Sequence, residues 1–447
     1  MNFTMSIKSY YRRLLLIVEG KQATPEEDAC SKDYLRHTST GNLQPVLPEE
    51  RNQLLDVLRG FALFGILLEN LMITGAIGLT PERAADLATA SIDPTVKALI
   101  RFFIFDKFLA IFSFMFGLSF AIQITRAAEQ KASITPVYLR RLVWLLFFGI
   151  AHMLLLWWAD ILHYFALMGL ILLAIRNWDD KTVLLCGLVL AVFSYAGYLS
   201  LPEIRTLLGS EAIHAMAVEP SDRAAAIKAQ IATFTTGSYF NVLKQNWLIY
   251  YSRYPIGRVI AHSLYILGYV MLGYFFGRRR FFQQVPLYQG MFRKLVKWGL
   301  IIGLPGNAIF VLIYNLKLVN RTPLFLLAQP AIWISILAMS CFYIALITLL
   351  FQSSVWQRTL LLLAPVGRMS LTNYLMQSLF FTHLLYGFGI GLGLLGRIGP
   401  SLCIPITIGF FAFQIVFSKC WLKYFRFGPT EWLWRLLTYG KRQPMRV

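Results

Sequence analysis

Long apolar segments dominate this sequence and leave few folds open to it. About ten of them are long enough to cross a lipid bilayer, and they centre near residues 67, 112, 150, 168, 190, 266, 306, 338, 380 and 409. Backbone N–H and C=O groups find no water inside a bilayer, so helices and closed barrels are the structures that cross it. Segments of this length match helices, because a membrane β-strand needs only about 9–11 residues. The sequence therefore predicts an all-α, polytopic membrane helical bundle of about 10 transmembrane helices.

The charge distribution agrees with a membrane protein and predicts its orientation. Only 14% of the residues are charged, and Lys plus Arg outnumber Asp plus Glu by 42 to 22. Basic runs such as LRR at 139–141 and GRRR at 277–280 fall on one side, which positive residues mark as cytoplasmic. Both termini are therefore predicted to be cytoplasmic. No basic surface with interleaved aromatic residues lies outside the spans, so we expect no nucleic-acid partner.

The same pattern divides the chain into three parts. Residues 1–50 are predicted to form a cytoplasmic tail, 51–420 the transmembrane helical domain, and 421–447 a cytoplasmic interfacial segment. The longest outer loop, 202–255, contains an amphipathic helix at 221–234, which is either a surface helix or a lid over an outward-facing cavity. The five cysteines form no CxxC pair, so neither a disulfide framework nor a metal site is predicted.

Polar side chains interrupt the first apolar segment, LLDVLRGFALFGILLENLMITGAIGL at 54–79. Ionisable groups inside a span are costly unless they are paired or face a polar cavity. Asp56 and Arg59 share a helix face and can neutralise each other, and a guanidinium also suits a phosphate. We assign both as candidate cofactor-binding residues, Asn70 as candidate catalytic, and Glu69 as cavity-lining. The alternative is that Arg59 extends to the interface and Asn70 bonds a neighbouring helix.

Lys107 lies in the second span, DKFLAIFSFMFG at 106–117, at a depth similar to that of Glu69. A buried lysine needs a counter-ion or loses its proton. The two residues are predicted either to form an interhelical salt bridge or to line a cavity in which Lys107 orients or activates a group.

Two histidines and one aspartate lie in the segment GIAHMLLLWWADILHYFALMGL, 149–170. Asp160 and His163 interrupt this region, which is predicted to form two short tilted helices or one broken helix. An imidazole beside a carboxylate is a general-base pair at neutral pH, so His152 and Asp160 are candidate catalytic residues, and His163 is assigned as cavity-lining. The alternative is an intramembrane histidine bonded to a backbone carbonyl.

A further set of polar residues follows one late span, 365–393. Arg368 and Asn373 are assigned as candidate cofactor-binding residues, Gln377 as cavity-lining and His383 as candidate catalytic. Asn373 and Gln377 lie four apart on one face, where they either line a cavity or bond neighbouring helices. The segment at 427–441 is predicted to be an interfacial anchor.

Five motifs in order resemble one family. RNQLLDVLRGFALFGILLEN, KFLAIFSFMFG, the His152-to-Asp160 block with its ADIL, GRMSLTNYLMQS and GPTEWLWRLLTY together resemble the YeiB family of bacterial membrane proteins, a domain of unknown function numbered 418. The resemblance implies a relation to transmembrane acyltransferases such as heparan-α-glucosaminide N-acetyltransferase, which share the D-x-x-RG block. In that enzyme an asparagine follows the arginine by eleven residues, as Asn70 does here. In bacterial O-acyltransferases a catalytic histidine stands at that place.

Three functions follow from these observations. The first is an acyltransferase that moves an acyl group from cytoplasmic acyl-CoA to an extracytoplasmic hydroxyl or amine acceptor. The second is a transporter or exporter of a small amphipathic molecule, and the third is a non-catalytic membrane scaffold. No HExxH, GxSxG or GxxxxGK[ST] motif occurs, so no metal is predicted. The expected location is the bacterial cytoplasmic (inner) membrane, with membrane lipids and a small-molecule acceptor or cargo as partners, and a homodimer is left open.

Overall fold

The computed structural model describes residues 51–130, 133–207, 220–315, 323–440 and 442–447. Within these ranges the regular elements are helices, and one isolated β-bridge pairs Phe425 with Arg446. In chain order the α-helices are α1 Gln53–Gly75, α2 Pro81–Ala85, α3 Asp93–Phe103, α4 Lys107–Glu129, α5 Thr135–Leu155, α6 Leu162–Ala174, α7 Asp180–Leu207, α8 Pro220–Thr236, α9 Tyr239–Arg253, α10 Ile256–Arg278, α11 Gln289–Asn315, α12 Pro323–Leu350, α13 Ser354–Leu360, α14 Ala364–Arg368, α15 Ser370–Leu385, α16 Pro400–Tyr424 and α17 Pro429–Tyr439. Two short 3-10 segments lie at Val285–Tyr288 and Leu361–Leu363. The predicted tail, 1–50, lies outside the described residues.

The predicted all-α membrane bundle is confirmed. In the described part of the chain, eight helical segments are long and apolar enough to cross a membrane: α1, α3 with α4, α5, α7, α10, α11, α12 and α16. The predicted centres near residues 168 and 380 fall in α6 and α15, which are only 13 and 16 residues long. Both are too short to span a bilayer alone, because a crossing helix needs about 20 residues.

Burial separates central helices from peripheral ones. Protein buries 67%, 61% and 61% of the most apolar stretch of α1, α4 and α10, respectively, but only 28% of the corresponding stretch of α5, α7 and α16. Residues that a peripheral helix turns outward meet lipid, so their apolar exposure is expected in a bilayer. Charged groups on α1 and α4 are therefore surrounded mainly by protein.

Close backbone contact brings α14 against α1. A Cβ atom on Gly367 would lie 1.8 Å from the carbonyl oxygen of Asp56, so only glycine permits this approach. The start of α1 is fixed by Asn52, whose side chain accepts a hydrogen bond from the backbone N–H of Leu54 and donates one to the carbonyl of Phe282. These contacts place Arg368, the last residue of α14, beside the charged start of α1.

The two ends of the bundle can be told apart by contacts between distant residues. At one end, Arg59 of α1 donates to Ser119 of α4, and the Trp434 indole of α17 donates to the carbonyl of Arg141 in α5. At the other end, the Trp157 indole after α5 donates to Thr74 of α1 at 3.0 Å. The helices α1 and α5 therefore run in the same direction, and α17 lies at the end where α1 begins. The compartment that each end faces stays a prediction.

Candidate functional site

Five arginines gather at the end of the bundle where α1 begins. We call Arg51, Arg59, Arg141, Arg368 and Arg435 the arginine cluster, because each lies within electrostatic range of another member. They come from four separate stretches of the chain. Mutual repulsion makes such a group unfavourable unless anions compensate it.

Asp56 is the carboxylate that holds this cluster together. Its side chain is 5% exposed, and its oxygens accept hydrogen bonds from Arg51 Nε at 2.5 Å, Arg51 Nη2 at 2.9 Å and Arg59 Nη1 at 2.8 Å. The other guanidinium arm of Arg59 donates to Ser119 Oγ at 2.7 Å. Asp56 thus serves two arginines, and Arg59, whose side chain is 21% exposed, still reaches the accessible surface.

Aromatic rings and carbonyls hold the remaining three arginines. The Arg141 guanidinium lies 4.1 Å from the Trp434 ring centroid and donates to Gln123, while Arg435 lies 4.3 Å from the Phe427 centroid. Arg368 donates to a backbone carbonyl. The buried Arg368 Nε and Arg435 Nη1 have no hydrogen-bond partner within the described residues. These contacts position the guanidiniums but do not neutralise them.

Glu431 forms no ion pair with the arginine cluster within the described residues. Instead of pairing with Arg435, its oxygens accept hydrogen bonds from the backbone N–H groups of Leu371 and Thr372 and from the Thr372 hydroxyl. Burial raises the pKa of Glu431 above its usual value, which favours the neutral form. The cluster therefore keeps an excess of positive charge, as expected for a site that binds an anion.

His152, Asp160 and His163 form a second cluster, which we call the histidine–aspartate cluster. His152 Nδ1 lies 2.8 Å from Asp160 Oδ1, and His163 Nδ1 lies 2.7 Å from Asp160 Oδ2. All three side chains are buried. The Nε2 atoms of both histidines are buried without a hydrogen-bond partner in the described part of the chain. A carboxylate on Nδ1 favours the tautomer whose Nε2 accepts a proton, so both histidines are arranged as bases.

The break between α5 and α6 creates this arrangement. The sequence left open two helices or one broken helix, and the structure has two, with Asp160 in the linker between them. Gly149 lets the two helices meet, because a Cβ there would lie 2.4 Å from the backbone nitrogen of His163 and 2.9 Å from Asp160 Oδ2. The Tyr374 ring of α15 lies 5.2 Å from the His152 ring and covers the cluster.

One helix, α5, carries members of both clusters, and they lie at different depths along it. Arg141 and His152 are eleven residues apart on α5, and Arg59 and Asn70 are eleven apart on α1. That spacing corresponds to about 16 Å along a helix. Because α1 and α5 run in the same direction, Asn70 and His152 lie at a similar depth. Asn70 is half-buried, and its side-chain amide makes no hydrogen bond within the described residues.

Glu69 and Lys107 lie near each other but do not form the direct salt bridge considered above. Glu69 accepts hydrogen bonds from the backbone N–H of Asp106 at 3.1 and 3.2 Å. Lys107 is fully buried and donates to the carbonyls of Arg101 and Phe105. Asp106 has a left-handed backbone, φ 60°, which turns α3 into α4. These charges therefore stabilise the α3–α4 junction.

Asn373 and Gln377 belong to a buried network between helices. The Asn373 amide donates to Ser418 Oγ at 2.9 Å and to two backbone carbonyls, and its oxygen accepts from Gln414 Nε2 at 3.0 Å. Gln377 donates to Gln414 Oε1 and to the carbonyl of Leu63. Of the two interpretations, this arrangement favours helix–helix bonding, because the Asn373 side chain has no free donor for a ligand.

His383 forms no hydrogen bond with the described histidine–aspartate cluster. Its Nδ1 lies 2.8 Å from the carbonyl of Leu379, one turn earlier on α15. No carboxylate contacts it among the described residues. This is the carbonyl-bonded arrangement that was the alternative for His152.

A cleft of about 600 Å³ opens at the end of the bundle where α1 ends, between the segments 83–87, 231–236 and 387–397. Its lining includes Arg83, Asp86, Thr235 and Arg397. The neighbouring Tyr239 hydroxyl donates to the carbonyl of Leu155, three residues after His152. Among the described residues, no group of three His, Cys, Asp or Glu side chains is arranged so that it could hold a metal ion.

Several residues of the arginine cluster, of its partners and of the buried network around Asn373 were not recognised in the sequence. Arg141 contributed only to the orientation of the spans, and Ser119, Gln414 and Ser418 carried no signal because isolated polar residues in spans are common. Arg435 was interpreted as part of an interfacial anchor. The arginine run at 139–141, directly before a span, was the one available indication.

Comparisons with known proteins agree with the motif order. The model of a family described as a protein of unknown function, DUF418, matches residues 276–441. An uncharacterized protein YxaH of Bacillus subtilis is 32% identical over 429 residues, covering 90% of this chain and 98% of the relative. An uncharacterized protein YeiB of Escherichia coli is 29% identical over 422 residues, covering 88% and 98%. No solved structure matches the chain.

Proposed function

This chain belongs to the YeiB family of proteins of unknown function, and we propose that it is a membrane-embedded acyltransferase. The donor is an acyl-CoA held at the arginine cluster, and the acceptor is a hydroxyl or amine that reaches the histidine–aspartate cluster. In this proposal the arginine cluster faces the cytoplasm and the protein lies in the bacterial cytoplasmic membrane. The observation that carries the proposal is that two histidines share the Asp160 carboxylate while the Nε2 atom of each has no hydrogen-bond partner among the described residues.

The histidine–aspartate cluster supplies the base. Asp160 accepts the Nδ1–H of His152 and of His163, which leaves each Nε2 as a proton acceptor. One Nε2 removes the proton of the acceptor O–H or N–H as that atom forms a bond to the acyl carbon. The C–S bond of the thioester then breaks, and the proton returns from Nε2 to the departing CoA thiolate. Asp160 stabilises the imidazolium that exists between these steps.

The arginine cluster supplies the donor site in this proposal. Its guanidiniums outnumber the carboxylates that neutralise them, and guanidiniums bind phosphate oxygens in pairs. The separation of about 16 Å along α1 and α5 requires an extended donor whose phosphates and thioester lie far apart. CoA is such a molecule. In this proposal Asn70, whose side-chain amide makes no hydrogen bond among the described residues, donates to the developing oxyanion.

The experiment measures release of the CoA thiol from acetyl-CoA by purified protein in detergent, with water as the surrogate acceptor. We expect His152→Gln and His163→Gln to reduce the rate by about 100-fold or more, the usual contribution of a general base. His383→Gln is the matched control, because that histidine bonds a backbone carbonyl, and its rate should equal wild type. Equal rates in all four proteins would contradict the proposal. Transport would contradict it as well: a labelled molecule would cross the membrane of proteoliposomes without forming a covalent product, and His152→Gln and His163→Gln would leave that movement unchanged.

A further inference from the structure

A second pocket lies at the end of the bundle opposite the arginine cluster. It has a volume of about 410 Å³ and is formed where α1 ends and α16 begins, between α3 and the end of α11. Part of its lining is apolar, and we call these residues the floor: Met72, Ala76, Leu79, Ile398 and Cys403. A pocket with such a lining favours an apolar ligand segment. It shares no lining residue with the cleft of about 600 Å³ described above.

Two cations, Lys97 and Arg101, also line this pocket, and we call them its rim. Lys97 and Arg101 are four residues apart on α3 and therefore share a face. The Arg101 guanidinium lies 4.7 Å from the Tyr314 ring centroid, and Nη1 donates to Asn315 Oδ1 at 3.5 Å. Neither cation has a carboxylate within 4.0 Å in the described residues. The stacking fixes Arg101 in place but leaves its charge uncompensated.

Asp93, the one acidic residue in the described lining, does not pair with these cations. Asp93 Oδ1 accepts hydrogen bonds from the backbone N–H and the hydroxyl of Ser401 at 2.9 and 2.5 Å. Its Oδ2 accepts one from the Thr89 hydroxyl at 2.8 Å. Asp93 therefore joins α3 to the start of α16, and the pocket keeps a net positive rim above an apolar floor.

The orientation of α3 places this rim at the level of lipid headgroups. At 100° per residue, Ile92, Leu99 and Phe103 share one face, and all three are exposed. Lys97 and Arg101 lie about 140–180° away from Ile92 on the same helix. A helix with exposed apolar residues on one face and cations on the other lies in the membrane interface, with the cations towards the headgroups.

From these observations we propose that the pocket binds an anionic phospholipid from the leaflet at this end of the bundle. The headgroup phosphate binds between Lys97 and Arg101, and the adjoining part of the lipid chain contacts Met72, Ala76 and Leu79. An apolar floor below two uncompensated cations fits a molecule with a phosphate at one end and a chain at the other. This site is independent of the proposed acyl transfer, since it uses neither of the two clusters.

The test measures lipid retained by purified protein in native mass spectrometry and the accompanying thermal stabilisation. The probes are phosphatidylglycerol, phosphatidylcholine with the same chains, and glycerol 1-phosphate, which has the phosphate without chains. We expect one phosphatidylglycerol to bind in preference to phosphatidylcholine, and no stabilisation by glycerol 1-phosphate at equal concentration. The double variant Lys97→Gln/Arg101→Gln should weaken phosphatidylglycerol binding by about tenfold or more, because both cations that bind the headgroup phosphate are removed.

Two further variants separate the site from general charge and from misfolding. Lys228→Gln/Lys244→Gln removes the same charge from exposed positions on α8 and α9 and should retain wild-type binding. Ala76→Phe fills the floor while leaving both cations, and should weaken phosphatidylglycerol without changing the response to soluble phosphate. Equal binding of the two lipids, equal loss in both double variants, or glycerol 1-phosphate binding as tightly as the lipid would each overturn the proposal.

Discussion

At the scale of single residues, the charges of α1 show how a membrane helix tolerates ionisable groups. The sequence places Asp56 and Arg59 three residues apart, and the structure joins them at 2.8 Å. It also adds Arg51 to the same carboxylate, a partner that lies before the apolar segment and carried no signal. Local spacing predicts neighbours on one helix face, whereas a partner from outside the helix depends on the path of the chain.

Asp56→Asn should lower the stability of the protein substantially. The substitution leaves Arg51 and Arg59 without their common counter-ion, and breaking a buried ion pair typically costs about 3–5 kcal/mol. The measurement is thermal unfolding in detergent, with and without pyrophosphate. Pyrophosphate should restore part of the lost stability and should bind the variant more tightly than wild type, because the net positive charge is larger.

Asp86→Asn is the control for this prediction, because Asp86 is exposed and its carboxylate makes no hydrogen bond or ion pair in the described part of the chain. Its stability should lie within about 0.5 kcal/mol of wild type. An Asp56→Asn protein as stable as wild type, or indifferent to pyrophosphate, would show that the arginine cluster does not require compensation.

Glu431 gives a pH-dependent prediction. Its raised pKa means that the folded protein keeps this proton at pH values where the unfolded chain has released it. The resulting stability is fully present below the ordinary glutamate pKa and is lost as pH rises through the folded-state pKa. Thermal unfolding across this range should show a decrease in wild type that is absent in Glu431→Gln. Glu431→Ala should cost about 1–3 kcal/mol at every pH, because two backbone N–H groups lose their acceptor. A Glu431→Gln protein with the wild-type pH profile would disprove this assignment.

At the scale of elements, the contact between α5 and α6 determines the geometry of the histidine–aspartate cluster. Gly149→Ala should displace His163 and Asp160, since the new Cβ would overlap their atoms. Overpacking of this kind costs about 1–3 kcal/mol, and thiol release from acetyl-CoA should decrease with it. Gly409→Ala on α16 is the control, because a Cβ there meets no atom within 4 Å and should leave both measurements unchanged. Wild-type activity in Gly149→Ala would contradict the predicted coupling of packing and chemistry.

For the contact between α15 and α16, we expect a mutation to lower stability without changing ligand binding. Asn373→Ala removes four hydrogen bonds of the buried network, so stability should decrease by about 1–3 kcal/mol. Affinity for CoA, measured by titration calorimetry, should remain at the wild-type value. A variant with normal stability and weakened CoA binding would return Asn373 to the role of a ligand-binding residue that its spacing first suggested.

Element-scale features differ in how far the sequence determines them. The interruption by Asp160 and His163 predicted a break between two helices, because such groups are costly within an apolar segment. It did not predict that both histidines would share the carboxylate. Helical periodicity placed Asn373 and Gln377 on one face, but their partners Gln414 and Ser418 lie on another helix about forty residues later. Periodicity defines a face and does not identify what packs on it.

At the scale of the whole molecule, apolar length was sufficient to predict the fold class. Bilayer thickness sets the length of a crossing helix, and this constraint acts on each segment separately. The arginine cluster could not be predicted in the same way, since its members are spread from Arg51 to Arg435. Their convergence follows from α17 packing against α5 at the end where α1 begins. That contact depends on the arrangement of all the helices between them.

Binding of CoA at the arginine cluster tests the central claim most directly. Titration calorimetry of purified protein with CoA should show binding that weakens as salt is added, because charged contacts are screened. Arg59→Gln should weaken it by about tenfold or more, equivalent to roughly 1.4 kcal/mol, while Asp56 remains paired with Arg51. Arg358→Gln, an exposed arginine on α13, should bind CoA as wild type does. Wild-type protein that fails to bind millimolar CoA, or an Arg59→Gln protein with unchanged affinity, would contradict the claim that the arginine cluster forms a ligand site.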